Sequence, residues 1–210
     1  MYKNACIQVD KSHYFKCYDT RSRFSSYWHQ IDEVLNTGSS SVLEIGVGNK
    51  TVSKYLLDHK INITTLDIDK KLFPHVAGSV LSLPYHDNIF DTTLCCEVLE
   101  HLPYHFFISA LKEIKRVTKQ NVILSLPDVE NYIKLELKVS YLKIIQSIIN
   151  IPINKKNHKF DGQHYWEIGK HGYNKTKIAN DIRASGLLIC SSYRNFDEPY
   201  HRFFICKKGE

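Results

Sequence analysis

The chain has 210 residues, 43% hydrophobic and 24% charged, and its 28 Lys and Arg against 22 Asp and Glu give a net charge of +6. A chain of that length buries about 70% of its unfolded surface and needs no staples. The composition excludes a disordered tail, a coiled coil and a disulfide mini-protein, and the mild basic excess falls short of a nucleic-acid-binding arm.

No apolar run is long enough to span a bilayer, and the N-terminal MYKNACIQVDKSHY lacks the apolar centre of a signal peptide. Cys6, Cys17, Cys95, Cys96, Cys190 and Cys206 form no CxxC pair, and several sit in apolar runs as free thiols do. The expectation is a reducing, cytoplasmic compartment.

Residues 1–37 read as a helical, aromatic-rich cap. Phe24, Tyr27, Trp28, Ile31, Val34 and Leu35 recur at the spacing of one helical face, and Gly38 stops the helix. Tyr27, Trp28 and Ile31 are read as packing residues, and Tyr18, Arg21 and Arg23 as the candidates for ligand contact.

The chain then alternates. Strands are predicted at 41–45, 61–66, 90–96 and 121–126, with helices at 51–59 and 103–117 between them. A helix at 175–184, stopped by Gly186, precedes strands at 187–193 and 201–206. Alternation means parallel pairing with right-handed crossovers. The last two strands are too close for such a crossover and pair antiparallel. The expected fold is α/β: Rossmann-like, doubly wound, with a mostly parallel seven-stranded sheet and an antiparallel C-terminal strand, forming a single domain over 1–210.

Residues 128–173 break this rhythm and read as an insertion or lid that forms the acceptor site. A helix is predicted over 132–150, with Ile133, Leu135, Leu137, Val139, Leu142, Ile144, Ile145, Ile148 and Ile149 on more than one face. Lys134, Lys138 and Lys143 make no clean basic face, so packing or a homodimer contact is preferred to membrane binding. The His- and aromatic-rich stretch NKKNHKFDGQHYWEIGKHGY follows.

In VLEIGVGNK, residues 42–50, a strand runs into Gly46 and Gly48 and a helix follows. Such glycines allow a tight turn and close approach to the main chain, and the helix start offers free N–H groups. Asp67 ends the next strand, where a carboxylate accepts both hydroxyls of a ribose. Taken singly, the glycines make a turn and Asp67 caps the segment DKKL. Together they indicate a nucleoside-containing cofactor. The dinucleotide pattern G-x-G-x-x-G/A fails, because Thr51 holds its last position.

VLEIGVG, TLDID, SLPYHDNIFD and TTLCCEVLEHLP, in this order, resemble the class I S-adenosylmethionine-dependent methyltransferases of the type 11 branch, from about Val42 to Leu126. The resemblance implies that Glu44, Gly46 and Gly48 cradle the methionine part of the cofactor. It implies that Asp67 binds the ribose, Ile68 flanks the adenine, and Val80 and Leu81 line the adenine pocket. Cys96 would offer its backbone to the cofactor amino group, with Glu97 beside it. Lys50 stands where the family usually has a third glycine, and Ser79 where it often has an acid.

EVLEH, residues 97–101, places Glu97, Glu100 and His101 on one face if the turn is helical. It is similar to the corresponding segment of two metal-assisted branches, the ubiquinone-pathway O-methyltransferases and the small-RNA terminal 2′-O-methyltransferases. The latter carry a His shortly before Phe-Glu-Trp, and His164-Tyr-Trp-Glu167 is similar. Glu97, Glu100, His101 and His164 are therefore the candidate ligands for Mg or Mn. The alternatives are His101 as a general base without metal, with Glu97 and His164 as its catalytic neighbours, or a structural role. Tyr165 and Trp166 either stack on substrate or pack the lid, and His201 is a further site candidate.

The expectation is methyl transfer from S-adenosylmethionine to a hydroxyl of a small molecule or glycan. The alternatives are a metal-assisted ribose 2′-O-methyltransferase acting on RNA, and a non-catalytic cofactor-binding module.

Overall fold

The computed structural model describes residues 7–141, 144–151 and 156–209; Cys6, Leu142 and Lys143 lie outside them. After a 3-10 turn at Lys11–Phe15, α1 (Arg21–Asn36) begins where the Thr20 hydroxyl accepts from the Arg23 N–H at 3.2 Å, an N-cap bond. Then follow β1 (Ser41–Ile45), α2 (Thr51–Asp58), β2 (Asn62–Asp67), β3 (Val76–Ala77) and β4 (Phe90–Cys96). The chain continues through α3 (Phe107–Val117), β5 (Thr118–Pro127), β6 (Tyr132–Leu137), β7 (Ile145–Asn150), α4 (Lys175–Ala184), β8 (Leu187–Arg194) and β9 (His201–Lys208).

Seven strands form one sheet in the order β3-β2-β1-β4-β5-β9-β8. The first five are parallel, and β9 runs antiparallel to both its neighbours. The expected sheet is present, with β9 as its one antiparallel strand. Its two faces build two cores because adjacent strand residues point opposite ways. Leu43, Leu124 and Phe204 face α3 and α4; Val42, Ile123 and Phe203 face α1 and α2. Burial of strand interiors on both faces explains their unbroken apolar runs.

The sequence missed β3, two residues long and paired only at Leu66–Val76 and Asp67–Ala77. The helix expected over Tyr132–Asn150 is instead the hairpin β6–β7, with Tyr132 opposite Asn150 and Leu137 opposite Ile145. The reason is periodicity: Tyr-Ile-Lys-Leu-Glu-Leu alternates, and the isoleucines of β7 favour strand. One hairpin face carries Ile133, Leu135, Leu137, Ile145 and Ile149, all exposed. On the other face Lys134 lies over the Phe196 ring and Tyr132 under the Arg194 guanidinium. Among the described residues no helix is long and apolar enough to cross a membrane.

In the sheet order β1 has β2 on one side and β4 on the other. Open α/β sheets hold their ligands in the crevice outside the carboxyl ends of strands at such a reversal of order.

Candidate functional site

At the end of β1 the chain turns through Gly46 (φ 84°) and Gly48 (φ 48°), and the Gly46 N–H donates to the Leu66 carbonyl at 2.9 Å. Lys50, which stands where the resemblance leads one to expect a third glycine, also takes a left-handed conformation at φ 68°. Its ammonium donates to the Phe73 carbonyl. Lys50 is the N-cap of α2, and the Oδ1 of Asn49 just before it accepts from the Thr51 N–H at 3.0 Å.

Asp67, at the end of β2, closes this loop. Its Oδ2 accepts from the Val47 N–H at 2.9 Å and its Oδ1 from the Asp69 N–H at 2.8 Å. Burial raises its pKa, against the pull of those N–H groups. Glu44 lies deeper, and burial pushes its carboxyl up to about 8, only partly countered by a hydrogen bond from Ser53. Its Oε2 is buried without a hydrogen-bond partner, a costly arrangement that a cationic group would relieve. Ile68, Val80 and Ser79 line the same cavity as these residues. Leu81 does not line it: it is 6% exposed and packs in the α3 side of the core, because the Leu81 N–H bonds back to the Ser79 hydroxyl and turns the chain inward.

The cavity continues past Cys96 to the turn after β4. Burial pushes the Cys96 thiol well above its ordinary range. Glu97 has φ 52°, and its left-handed backbone breaks the helical register expected across EVLEH. Its carboxylate therefore turns to the Ser125 hydroxyl at 2.7 Å and the His201 Nε2 at 3.6 Å. Leu99–His101 is a single 3-10 turn. Ligand atoms of Glu100, His101 and His164 lie within 4.8 Å of one another, and Glu97 is outside that group. Three of the four proposed ligands thus come together.

Glu100 is wholly buried with neither carboxylate oxygen partnered. Burial first, then the charge of Glu97, pushes its pKa well above the ordinary value. His101 is pushed down to about 4 by burial and by His164. Its Nδ1 faces two acceptors, Gln8 Oε1 at 2.6 Å and the Gln163 carbonyl at 3.1 Å. These acceptors assign the proton to Nδ1 and leave Nε2 with a lone pair. His164 Nδ1 lies 3.0 Å from Glu167 Oε1, which also accepts from the Tyr200 hydroxyl at 2.7 Å. The His101 and His164 rings meet edge to face with centroids 5.0 Å apart.

The aromatic lid residues divide. Trp166 is fully buried, donating to the Leu102 carbonyl at 3.1 Å, and Tyr165 stacks on Phe160. Both pack, and only His164 reaches the cavity. His201 bonds the Ser26 hydroxyl at 2.7 Å and does not line the cavity. Tyr18 and Arg23 line it, Arg21 does not, and Tyr27 lines it despite being read as packing. Sequence reasoning missed Gln8, Tyr14 and Tyr200, which also line it; they stand outside any motif, and only the folded chain brings them there.

Residues 43–126 match a family model described as a methyltransferase domain. The chain is 31% identical over 130 residues to the uncharacterized protein MJ0638 of Methanocaldococcus jannaschii, covering 58% of this chain and 53% of that one. It thus spans about half the length of the curated relative it matches. Among solved structures it is similar to the 1,6-didemethyltoxoflavin-N1-methyltransferase of Burkholderia thailandensis, with bound 1,6-didemethyltoxoflavin and S-adenosylhomocysteine. That match has a TM-score of 0.66 and 14% identity, covering 95% of this chain and 85% of that one. It is also similar to the magnesium protoporphyrin IX methyltransferase of Synechocystis PCC 6803 with bound S-adenosylhomocysteine (TM-score 0.62, 12% identity, 90% and 84% covered).

Proposed function

We propose, from the match of residues 43–126 to a methyltransferase-domain model, that the chain is a class I methyltransferase of the type 11 branch that transfers a methyl group from S-adenosylmethionine to a hydroxyl of a small molecule or sugar. One observation carries the reading. A single cavity joins Asp67, Glu44 with its one unpartnered carboxylate oxygen, and the His101 imidazole.

S-adenosylmethionine, when bound, supplies a methyl group activated on a positively charged sulfur. The chain's residues fit its parts. Gly46 and Gly48 open the backbone to the methionine end, and Glu44 finds in the ammonium the cation that its buried oxygen lacks. Asp67 takes the ribose hydroxyls, Ile68 and Val80 the adenine, and the Cys96 backbone the amino group. Binding and alignment carry much of the rate in such a displacement, and residues 128–173 exclude water and select the acceptor.

His101 accepts the acceptor's proton at Nε2. An imidazole near pKa 4 is a weak base for an alcohol, so a second reading has a specific observation in its favour. Glu100, His101 and His164 fit a Mg- or Mn-class cation: two orphaned carboxylate oxygens, a neutral imidazole, and a His backed by Glu167. Such a cation would supply acidification of a hydroxyl at neutral pH. A vicinal diol, on a sugar or on the terminal ribose of an RNA, suits that arrangement.

The test is S-adenosylhomocysteine titration with wild type and Asp67→Ala. Methyl transfer is then followed with sugars, phenols and RNA ends, with and without Mg or Mn. Micromolar binding lost in Asp67→Ala is expected. A wild type that does not bind sinks the reading, and turnover unchanged by Glu100→Gln and by a chelator sinks the cation. Binding without turnover on any acceptor supports the non-catalytic module instead.

A further inference from the structure

The segment before α1 crosses the cavity, and Ile7, Gln8, Val9, His13 and Tyr14 all line it. Gln8 ties this strap to the acceptor end. Its Nε2 donates to the His101 carbonyl at 3.1 Å, and its Oε1 accepts from Nδ1 of the same residue at 2.6 Å, across 93 positions of sequence. A primary amide carries a donor and an acceptor on one planar group, so this side chain reads the backbone and the ring of His101 together. The other acceptor at Nδ1 is the Gln163 carbonyl, from the stretch after the hairpin. Strap and lid thus converge on one imidazole nitrogen.

We propose that Gln8 is a positioning residue that latches the N-terminal strap over the cofactor cavity and, through the same two hydrogen bonds, fixes the His101 ring with Nε2 unprotonated. The inference rests on the methyltransferase reading for the identity of the ligand beneath the strap. Its consequence is an order of events. The cofactor enters with the strap open, and closing the strap readies His101.

Gln8→Leu removes both bonds, and Gln8→Glu keeps the acceptor but loses the donor. Three readouts apply: amide exchange of residues 7–18 in the free protein, imidazole 15N shifts of His101 at one pH, and titration with S-adenosylhomocysteine. In Gln8→Leu the strap exchanges faster while the sheet is unchanged. With only the longer Gln163 carbonyl contact left at Nδ1, the His101 signals move part of the way toward a tautomer mixture, and affinity falls about tenfold, mostly through dissociation. Gln8→Glu keeps the Nδ1–H signals and loosens the strap. Exchange and imidazole signals identical to wild type in Gln8→Leu overturn the latch. Failure of the wild type to bind the ligand would overturn the methyltransferase reading alone, because the first two readouts need no cofactor.

Discussion

Gly46 and Val98 stand so close that a Cβ added to Gly46 would lie 2.4 Å from the Val98 Cγ2. Gly46 also has φ 84°, so a larger residue is opposed by sterics and by backbone conformation together. Gly46→Ala is expected to cost about 1–2 kcal/mol for the left-handed backbone and about 1–3 kcal/mol for overpacking. It should also abolish S-adenosylhomocysteine binding. Urea unfolding and titration check both, and a loss below about 1 kcal/mol would show that Val98 yields freely.

Lys50 occupies a left-handed position without being glycine. Lys50→Gly relieves about 1–2 kcal/mol of strain and gives back about 0.5–1 kcal/mol in backbone entropy. It also loses the exposed bond to Phe73. Stability should therefore change by less than about 1 kcal/mol, whereas Lys50→Val, β-branched at the same φ, should cost more than Lys50→Gly does. Thermal unfolding of the pair decides it, and equal stability of the two variants would remove conformation as the controlling factor.

Glu44 makes stability depend on pH. Burial pushes its carboxyl up to about 8 in the folded state, above the ordinary carboxylate range that the unfolded chain keeps. Between the two the folded state holds a proton that the unfolded state has released, so stability falls as pH rises through that window. The loss is on the order of a few kcal/mol by pH 8. Glu44→Gln should reduce that slope, leaving the part that buried Glu100 contributes, and raise stability at pH 8, while weakening cofactor binding. Denaturant titrations at pH 5, 6.5 and 8 measure the slope. A slope shared by wild type and variant would assign it to another group.

The apolar face of the β6–β7 hairpin is uncovered, with Leu135 and Ile149 each about half exposed. Leu135→Asp or Ile149→Asp should change stability by no more than about 0.5 kcal/mol. Leu124→Ala, in the core, should cost roughly 2–5 kcal/mol. A large loss at Leu135 would mean that this face is packed in solution.

The sheet was legible because its signals are local: β-branched runs, glycines at strand ends, and spacings too short for a crossover. That Glu44 to Gly48 and Asp67 would cluster was legible for the same reason, since they lie in short motifs at strand ends and line one cavity. The hairpin was not. Its apolar residues were read for their number, while their alternation carried the information. Leu81 was misplaced because sequence does not tell which of two adjacent apolar residues faces a cavity. Glu97 was grouped with Glu100 on helical spacing that its own left-handed φ breaks. Gln8 and Tyr200 meet the site only through long-range folding, which leaves no mark in a linear pattern.

The position of β9 sets a constraint on how the molecule comes together. It lies between β5 and β8, so β8 has no neighbour in the sheet until a later segment inserts beside it. During vectorial synthesis β1 to β4 have all their partners early. The far side of the sheet waits, and β5 keeps an open flank along Asn121–Pro127. That flank is the surface most exposed to wrong pairing in a nascent chain, and insertion of β9 is the step that retires it.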